Sequence, residues 1–282
     1  MKGEKTMTNL TREQILAERK EWYSKTYVQF EMIKCLAHRE LCFLSLKSEE
    51  KKKAVRYLLA LNLSYLQKHF NWFNFYDALI NVYNSVAVLK DVPVFSYNLS
   101  ERKKEPAYIE FDKNYANYVI GYDFFWDIDG KENFELCHQE AKELKKIFDE
   151  YSLPYYIINS SKKGFHFVIE AKYIPEMDIH KLLETLNEIV YNMVGIYDFK
   201  TIDKSIIDLK RVKKTPYGFS CDNSICLPLS DEMFANFKAE DVEMKSVLQN
   251  IQIKNRGLLT RNQNLSLEEL KNNVSKFFKD FS

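Results

Sequence analysis

The chain is short of glycine and almost free of net charge. Only seven of its 282 residues are glycine, well below the usual share of about 7%, so each glycine is a candidate for a sharp turn or a close backbone approach. The 41 basic residues nearly balance the 40 acidic ones and leave a net charge of +1. The field of the whole protein therefore does not attract polyanions, and any polyanion would have to meet a local basic patch.

Cysteine motifs and long apolar segments are also missing. The first residues, MKGEKTMTNLTREQ, lack the apolar core of an export signal, and no apolar run is long enough to cross a bilayer. We therefore expect a soluble protein of a reducing intracellular compartment, cytoplasmic or associated with the nucleoid. The chain has five cysteines: Cys35, Cys42, Cys137, Cys221 and Cys226. They form no Cys-x-x-Cys pair, so neither a structural zinc site nor an iron–sulfur cluster is predicted.

Apolar spacing predicts a largely helical N-terminal region in residues 11–117. Thr11 and Gln14 form a candidate capping box for a helix that runs towards Cys35. The aromatic stretch from 72 to 88 also has helix-like spacing. Another helix is expected between these two, with four apolar side chains on one face: Ala54, Leu58, Leu61 and Tyr65.

From about residue 118 the pattern changes to alternating strands and helices. VIGYDFFWDID (119–129) has the length and aromatic content of a strand, and helix-spaced apolar residues follow it: Phe134, Cys137, Ala141, Leu144 and Phe148. LPYYIINS (153–160) and GFHFVIE (164–170) predict two strands, and a second helix follows them: Ile179, Leu182, Leu186, Ile189 and Met193. This β-α-β-β-α order predicts an α+β fold with a mixed sheet and an RRM- or ferredoxin-like element.

Three clusters of charged residues mark this part of the chain, and the first cluster is acidic. Side chains alternate along a strand, so Asp123, Asp127 and Asp129 share one displayed face. Asp127 and Asp129 then lie roughly 6–7 Å apart, which suits two cations held about 3.5–4 Å from each other. Carboxylate oxygens favour Mg²⁺ or Mn²⁺. The plain alternative is a strand that ends in a solvated Asp-Gly turn.

The second cluster is the turn Ser-Ser-Lys-Lys-Gly-Phe-His at 160–166. Its hydroxyl groups and the successive backbone N–H groups around a glycine can form an anion-binding concavity. Lysine adds positive charge, and His166 can hydrogen-bond a phosphate oxygen. The alternative is an ordinary hairpin whose histidine is satisfied within the fold.

The third cluster combines two acids with a run of cations before a turn at Pro216 and Gly218. Asp203 and Asp208 precede four basic residues: Lys210, Arg211, Lys213 and Lys214. This order suits a buried strand that delivers one carboxylate to metal and cations to phosphate, although a charge run is usually only a solvated face. Together, the three clusters supply what phosphoryl transfer to a nucleotide needs.

The order and spacing of the clusters resemble the archaeo-eukaryotic primase superfamily, in particular the small catalytic subunit of archaeal and eukaryotic DNA primase. Residues 121–129 resemble its G-x-D-hydrophobic stretch ending in Asp-x-Asp, and residues 160–166 its Ser-Gly-x-x-Gly-x-His motif. Residues 214–218 resemble its basic-x-Pro-x-Ser turn, residues 39–43 an Arg-Glu-Phe-x-Phe segment, and residues 226–230 the stretch after the third motif.

The resemblance implies that Asp127, Asp129 and Asp203 are catalytic and bind the metal ions, with Asp208 as the alternative third acid. The chain departs from the family pattern where Ser161 replaces a glycine and where lysines replace arginines, which leaves nucleotide affinity and sugar choice open. Six residues are implied to bind the nucleotide: Ser160, Ser161, Lys163, His166, Arg211 and Lys214.

The implied fold is a single primase-polymerase catalytic unit. Residues 1–10 would be a flexible tail, 11–117 the helical region, 118–230 the core motifs and 231–282 a C-terminal extension. The implied activity is DNA-templated nucleotidyl transfer that makes short RNA primers for DNA replication. Its expected partners are a single-stranded DNA template, an RNA or DNA primer, nucleoside triphosphates and a large primase subunit, with no membrane.

Two other functions are open at this point: a stand-alone primase-polymerase or gap-filling repair polymerase, and an inert module that binds single-stranded nucleic acid. A template would lie on a basic and aromatic surface. Residues 51–53 and 102–104 are candidates for that surface, although each is also typical of a solvated face.

Overall fold

The computed structural model describes residues 10–46, 52–60, 62–72, 80–90, 93–95, 101, 103–130, 133–249 and 257–282. Its first helices and strands are, in chain order, α1 (Arg12–Ser24), α2 (Thr26–Leu36), β1 (Glu40–Leu46), β2 (Lys52–Leu59), α3 (Leu63–Trp72), β3 (Ile80–Ser85), β4 (Ala87–Leu89), α4 (Pro106–Lys113) and β5 (Val119–Tyr122). Then follow β6 (Phe124–Asp129), α5 (Phe134–Glu150), β7 (Tyr155–Ser161), β8 (Gly164–Ile169), α6 (Ile179–Tyr197), β9 (Val212–Lys214), α7 (Asp231–Ala235), α8 (Met244–Gln249) and α9 (Leu267–Phe281). None of the helices in these ranges is long and apolar enough to cross a membrane.

The N-terminal helix begins as the sequence predicts and then breaks. Thr11 Oγ1 accepts a hydrogen bond from Gln14 N (3.3 Å), and Gln14 Oε1 accepts one from Thr11 N (2.7 Å), which confirms the capping box. Lys25 has an extended backbone, with φ −71° and ψ 119°. The predicted single helix is therefore two consecutive helices, α1 and α2.

The described part of the N-terminal region contains four strands besides its helices, and two predicted helical stretches are partly strand. Strand β2 stands where the second helix was expected, and β3 and β4 occupy the end of the aromatic stretch. Phe43 in β1 lies between Val55 in β2 and Val82 in β3, and all three side chains are buried. These side chains are buried by neighbours on strands that are distant in sequence. The spacing of apolar residues within one segment does not reveal such pairing. Leu61 and residues 73–79 of the predicted helices lie outside the described residues.

The described strands form three antiparallel sheets, with the orders β2-β1-β3-β9, β4-β5 and β6-β8-β7. The three-stranded sheet and its helices follow the predicted β-α-β-β-α order, which confirms the α+β class. After α6 the chain returns along β6, where Ile202 forms an antiparallel bridge with Ile128. This segment takes the place of the last strand of a βαββαβ unit, and it brings the third charged cluster beside the first.

Aromatic side chains fill the space between the three-stranded sheet and its helices. The ring of Trp126 in β6 is fully buried and lies 6.0 Å from that of Phe148 in α5. The Phe148 ring in turn lies 5.6 Å from that of Phe277 in α9. Phe125, on the opposite face of β6, contacts His166 edge-on with 4.7 Å between ring centroids. Both faces of β6 are therefore covered along its first half, and the strand opens to solvent towards its C-terminal end.

Candidate active site

Two of the predicted metal-binding acids lie side by side on neighbouring backbone segments. Asp203 N donates a hydrogen bond to Asp127 O (2.9 Å), and Asp129 N donates one to Thr201 O (2.9 Å). Residues opposite each other in an antiparallel pair project from the same face. Asp203 therefore projects beside Asp127, and Asp129 lies two residues further along β6.

The carboxylates of these acids face protein groups. Asp203 Oδ1 accepts hydrogen bonds from Ser205 N (2.9 Å) and Ser205 Oγ (2.7 Å), and Asp203 Oδ2 lies 3.2 Å from Arg211 Nη2. Asp127 Oδ1 lies 3.4 Å from His166 Nε2. Among the described residues, no group of three or more His, Cys, Asp or Glu side chains is arranged to hold a metal ion. The backbone thus gathers the predicted ligands, whereas their side chains do not form a ready-made metal site.

The alternative third acid, Asp208, has a different environment. Its side chain is exposed, and its Oδ1 accepts a hydrogen bond from Lys210 N (2.6 Å) within its own turn. Its carbonyl oxygen accepts one from Tyr122 Oη (2.8 Å). Of the two acids, Asp203 is the one whose backbone is hydrogen-bonded to β6.

His166 is the buried partner of Asp127. Strands β6 and β8 pair so that these two residues stand opposite each other, and His166 is 3% exposed. Burial lowers the pKa of His166, although the Asp127 carboxylate acts to raise it. Burial acts to raise the pKa of Asp127, but the charges of His166 and of two basic residues of the third cluster outweigh it and hold that pKa below its usual value. At neutral pH we therefore assign an ionised carboxylate beside a neutral imidazole.

Acid is expected to destabilise the fold through His166. Because its pKa is lowered in the folded protein, the unfolded chain takes up this proton at a higher pH. The contribution of neutral His166 to the free energy of unfolding is complete above about pH 6.5, the ordinary pKa of histidine. It is lost as the pH falls towards the folded-state pKa. Urea denaturation should show a smaller loss of unfolding free energy between about pH 6.5 and 5 in His166→Gln than in the wild type. Equal losses would contradict this assignment, because His138, whose pKa burial also lowers, is present in both proteins.

Close packing of the β7–β8 turn on β6 depends on a glycine. A Cβ atom at Gly164 would lie 2.6 Å from Ser160 Oγ and 2.8 Å from Ile128 O. Atoms so close would have to move apart, so only glycine permits this approach. Gly130 N also donates a hydrogen bond to Lys163 O (2.9 Å). The turn is thereby held against the end of β6 that carries the acids.

Two backbone N–H groups of this turn already have acceptors. Lys162 N donates to Asp222 Oδ2 (2.8 Å), and Lys163 N donates to Ser161 Oγ (3.0 Å). The ammonium of Lys162 is paired with Glu243. The sequence predicted open backbone N–H groups here, and for these two the prediction is wrong. A carboxylate and a hydroxyl group of the protein already accept their hydrogen bonds. An anion at this turn would be contacted by side chains, and the side chain of Lys163 is exposed.

Lys214 joins the second cluster to the third. Its Nζ donates hydrogen bonds to Ser160 O and to Ser220 Oγ, the latter at 2.9 Å. Ser160 and Ser220 are buried, whereas Lys214 is half-buried at the end of β9. Two of the predicted nucleotide-binding residues are thus in direct contact. Ser220, which the sequence did not assign to the site, completes this contact.

For two buried acids near the site, the sequence predicted neither the burial nor the contacts. Glu140 accepts hydrogen bonds from Lys200 N (2.7 Å) and Thr201 N (2.8 Å), and so holds the segment that leads into the third cluster. Its signal is an acid on the apolar face of α5. Asp123 was expected on the displayed face of its strand, but it is completely buried and paired with Arg39 at 2.7 Å. The one sequence feature that pointed to this burial was Arg39, a basic residue in the separate motif at 39–43 that could pair with Asp123.

The two basic segments considered for a template surface are only partly described. Residues 51–53 and Arg102 lie outside the described side chains, and residues 103–104 are exposed. Lys204, next to the third acid, is exposed, and its Nζ lies 5.8 Å from the ring centroid of Tyr191. Among the described residues, Lys214 and Arg211 of the third cluster supply positive charge near Asp127.

Comparisons with known proteins give a partial relative and distant structural neighbours. No protein-family model matches the chain. An uncharacterised protein of Methanocaldococcus jannaschii is 31% identical over 116 residues, which are 41% of this chain. The chain spans about a quarter of the length of that curated relative, 25%.

Two solved structures are similar to parts of the fold. The polymerase domain of Mycobacterium tuberculosis ligase D, in complex with DNA, has a TM-score of 0.49 and 10% identity, and the match covers 86% of this chain and 93% of that one. The catalytic domain of primase RepB′, in complex with initiator DNA, has a TM-score of 0.37 and 8% identity, with 81% and 97% covered.

Proposed function

We propose that the chain is a template-directed nucleotidyltransferase of the archaeo-eukaryotic primase superfamily. The proposal rests on one contact above all, the backbone hydrogen bond from Asp203 to Asp127, because it unites acids from two motifs that are far apart in sequence. His166 in β8 contacts Asp127. Ser160, which Lys214 contacts, lies in the adjacent strand β7. This is the grouping that the motif resemblance implies.

The donor set suits a divalent cation. Asp127, Asp129 and Asp203 offer hard oxygen ligands of the kind that Mg²⁺ and Mn²⁺ prefer, and the lowered pKa of Asp127 keeps its carboxylate ionised. To serve as a ligand, Asp203 Oδ2 would turn away from Arg211, its present partner at 3.2 Å. When bound, two such ions would lower the pKa of a primer 3′-hydroxyl and offset charge on the α-phosphate and pyrophosphate.

The other site residues would bind and orient the triphosphate. Lys214 already donates to oxygen atoms and can donate to a phosphate instead. Arg211, once released from Asp203, would be a second cation for the same group. His166 would hold Asp127 in place and keep water from the buried side of the carboxylate, and Lys163 would contact the phosphates from the turn.

As a finer proposal, the protein makes short RNA primers for DNA replication on single-stranded DNA and works with a large primase subunit. A stand-alone primase-polymerase or a gap-filling repair polymerase would share the same chemistry. A primase and a repair polymerase differ in initiation, because a repair enzyme extends chains and does not start them efficiently. An inert binding module is less favoured, since it has no need for acids of two distant motifs, Asp127 and Asp203, on adjacent backbone segments.

The test is an incorporation assay with purified protein, labelled ribo- or deoxynucleotides, and Mg²⁺ or Mn²⁺. Unprimed single-stranded DNA, primed DNA and gapped DNA are compared, each with and without the candidate large subunit. We expect labelled product that needs both template and metal ion. Product on unprimed DNA supports a primase, and product on primed or gapped DNA alone supports a repair polymerase. No product on any template would refute a nucleotidyltransferase.

A further inference from the structure

A buried carboxylate joins the two sheets that carry the proposed active-site residues. Asp123 precedes β6 and is completely buried. Its Oδ1 accepts hydrogen bonds from Arg39 Nη2 (2.7 Å) and Ala171 N (2.9 Å), and Lys213 Nζ lies 3.4 Å from its Oδ2. Arg39 and Lys213 are 9% and 3% exposed. Within the described part of the chain, Asp123 Oδ2 has no hydrogen-bond donor, so the contact with Lys213 is purely that of an ion pair.

These charged residues come from different parts of the fold. Arg39 directly precedes β1, and its Nη1 also donates to Ser85 O (3.1 Å) and Val86 O (2.8 Å) at the end of β3. Lys213 lies in β9, at the edge of the same four-stranded sheet. Asp123 leads into β6 of the three-stranded sheet. One carboxylate therefore connects the strand of the proposed metal ligands to β9.

Backbone hydrogen bonds pass through the same junction. Asp123 N donates to Val86 O (3.2 Å), and Val86 N donates to Arg211 O (3.0 Å). Lys214, the proposed phosphate-binding lysine, follows Lys213 directly in β9. A shift at this junction would therefore change the distance between the acids on β6 and the cations of the third cluster.

Stability alone does not explain charged residues at this place. Charged groups lose their hydration on burial, and well-packed apolar side chains can often replace a buried ion pair without loss of stability. Burial also lowers the pKa of Lys213, against the effect of Asp123, which shows the cost of a charge here. Two directional hydrogen bonds and one ion pair to the same carboxylate fix the relative position of the segments that they join, which apolar contacts do less well.

We infer that Asp123 is a positioning residue which, through Arg39 and Lys213, sets the alignment of the metal-binding strand β6 with the phosphate-binding strand β9. The inference rests on the proposed function. Small misplacements matter in such a site, because a displacement of about 1 Å can cost on the order of 10²-fold in rate.

The experiment compares Lys213→Met with the wild type and with Arg261→Met. Methionine fits a buried lysine site and leaves the Arg39–Asp123 pair balanced, so the thermal midpoint should be retained or raised. Arg261 is the control, because its ion pair with Asp231 (2.8 Å) lies outside the junction. Four quantities are measured: the thermal midpoint, the nucleotide KM on primed DNA, kcat on primed DNA, and hydrogen exchange at the amides of Asp123 and Val86.

For Lys213→Met we expect the nucleotide KM to rise about 10-fold with a smaller change in kcat, and exchange at the two junction amides to quicken about 10-fold. Arg261→Met should lose stability but keep KM, kcat and junction exchange. Asp123→Asn, if it folds, should lower kcat instead, since it loosens the strand of the acids.

The inference is overturned if Lys213→Met keeps wild-type KM and kcat in an active enzyme, or if junction exchange is unchanged. An inactive wild-type protein with faster junction exchange in Lys213→Met would remove the proposed function and still support Asp123 as the tie between the strands. The two failures are therefore distinguishable.

Discussion

Asparagine in place of Asp127 is expected to lower the rate of nucleotide incorporation about 10³-fold, because a divalent cation would lose a charged ligand worth about 4 kcal/mol in the transition state. The side chains have the same shape, and His166 is neutral at neutral pH, so the substitution does not strand a buried cation. Single-turnover incorporation on primed DNA measures the effect. The thermal midpoint shows whether the fold is retained.

Other acids near the site provide the comparison. Asp203→Asn should reduce the rate to a similar extent, because Asp203 projects beside Asp127. Asp198→Asn removes an acid that is 81% exposed and should change the rate no more than about twofold. Asp208→Asn should also have a small effect, since its carboxylate only caps its own turn. A rate for Asp127→Asn above about a tenth of the wild-type value would speak against metal binding by this residue.

Methionine in place of Lys214 is expected to raise the nucleotide KM about 10- to 150-fold. A hydrogen bond to a charged group contributes about 1.5–3 kcal/mol, and about 1.4 kcal/mol corresponds to a factor of ten. A lysine that holds the triphosphate acts on the bound substrate and on the transition state alike, so kcat should change less than KM. Steady-state incorporation at varied nucleotide concentration measures both constants.

Lys172→Met is the matched control for this substitution. Lys172 is 58% exposed, and its ammonium is paired with Glu170 at 2.9 Å. It carries the same charge as Lys214 but follows β8 at the end away from the β7–β8 turn. We expect its KM to stay within about twofold of the wild-type value. An unchanged KM in Lys214→Met would place the phosphate-binding lysine elsewhere.

Local pattern was sufficient for the part of the fold around the site. The strand β6, the helix α5, the hairpin of β7 and β8 and the helix α6 were all predicted, because each repeats its apolar side chains within a few turns or alternations. Local patterns of this kind do not predict β2 and β3. Val55 and Val82 are buried by pairing with Phe43 in β1, and such pairing between distant segments leaves no periodic trace of its own.

The sequence by itself determined which residue types are present for the proposed chemistry and on which local element each lies. Only the tertiary structure decided which of them meet: Asp203 beside Asp127, Lys214 on Ser160, and Asp123 buried between two sheets although alternation predicted its display. It also decided that N–H groups of the β7–β8 turn already have acceptors within the protein. The physical reason is that helix and strand periodicity is set by the backbone within a few residues, whereas ion pairs and hydrogen bonds between segments depend on how the whole chain packs.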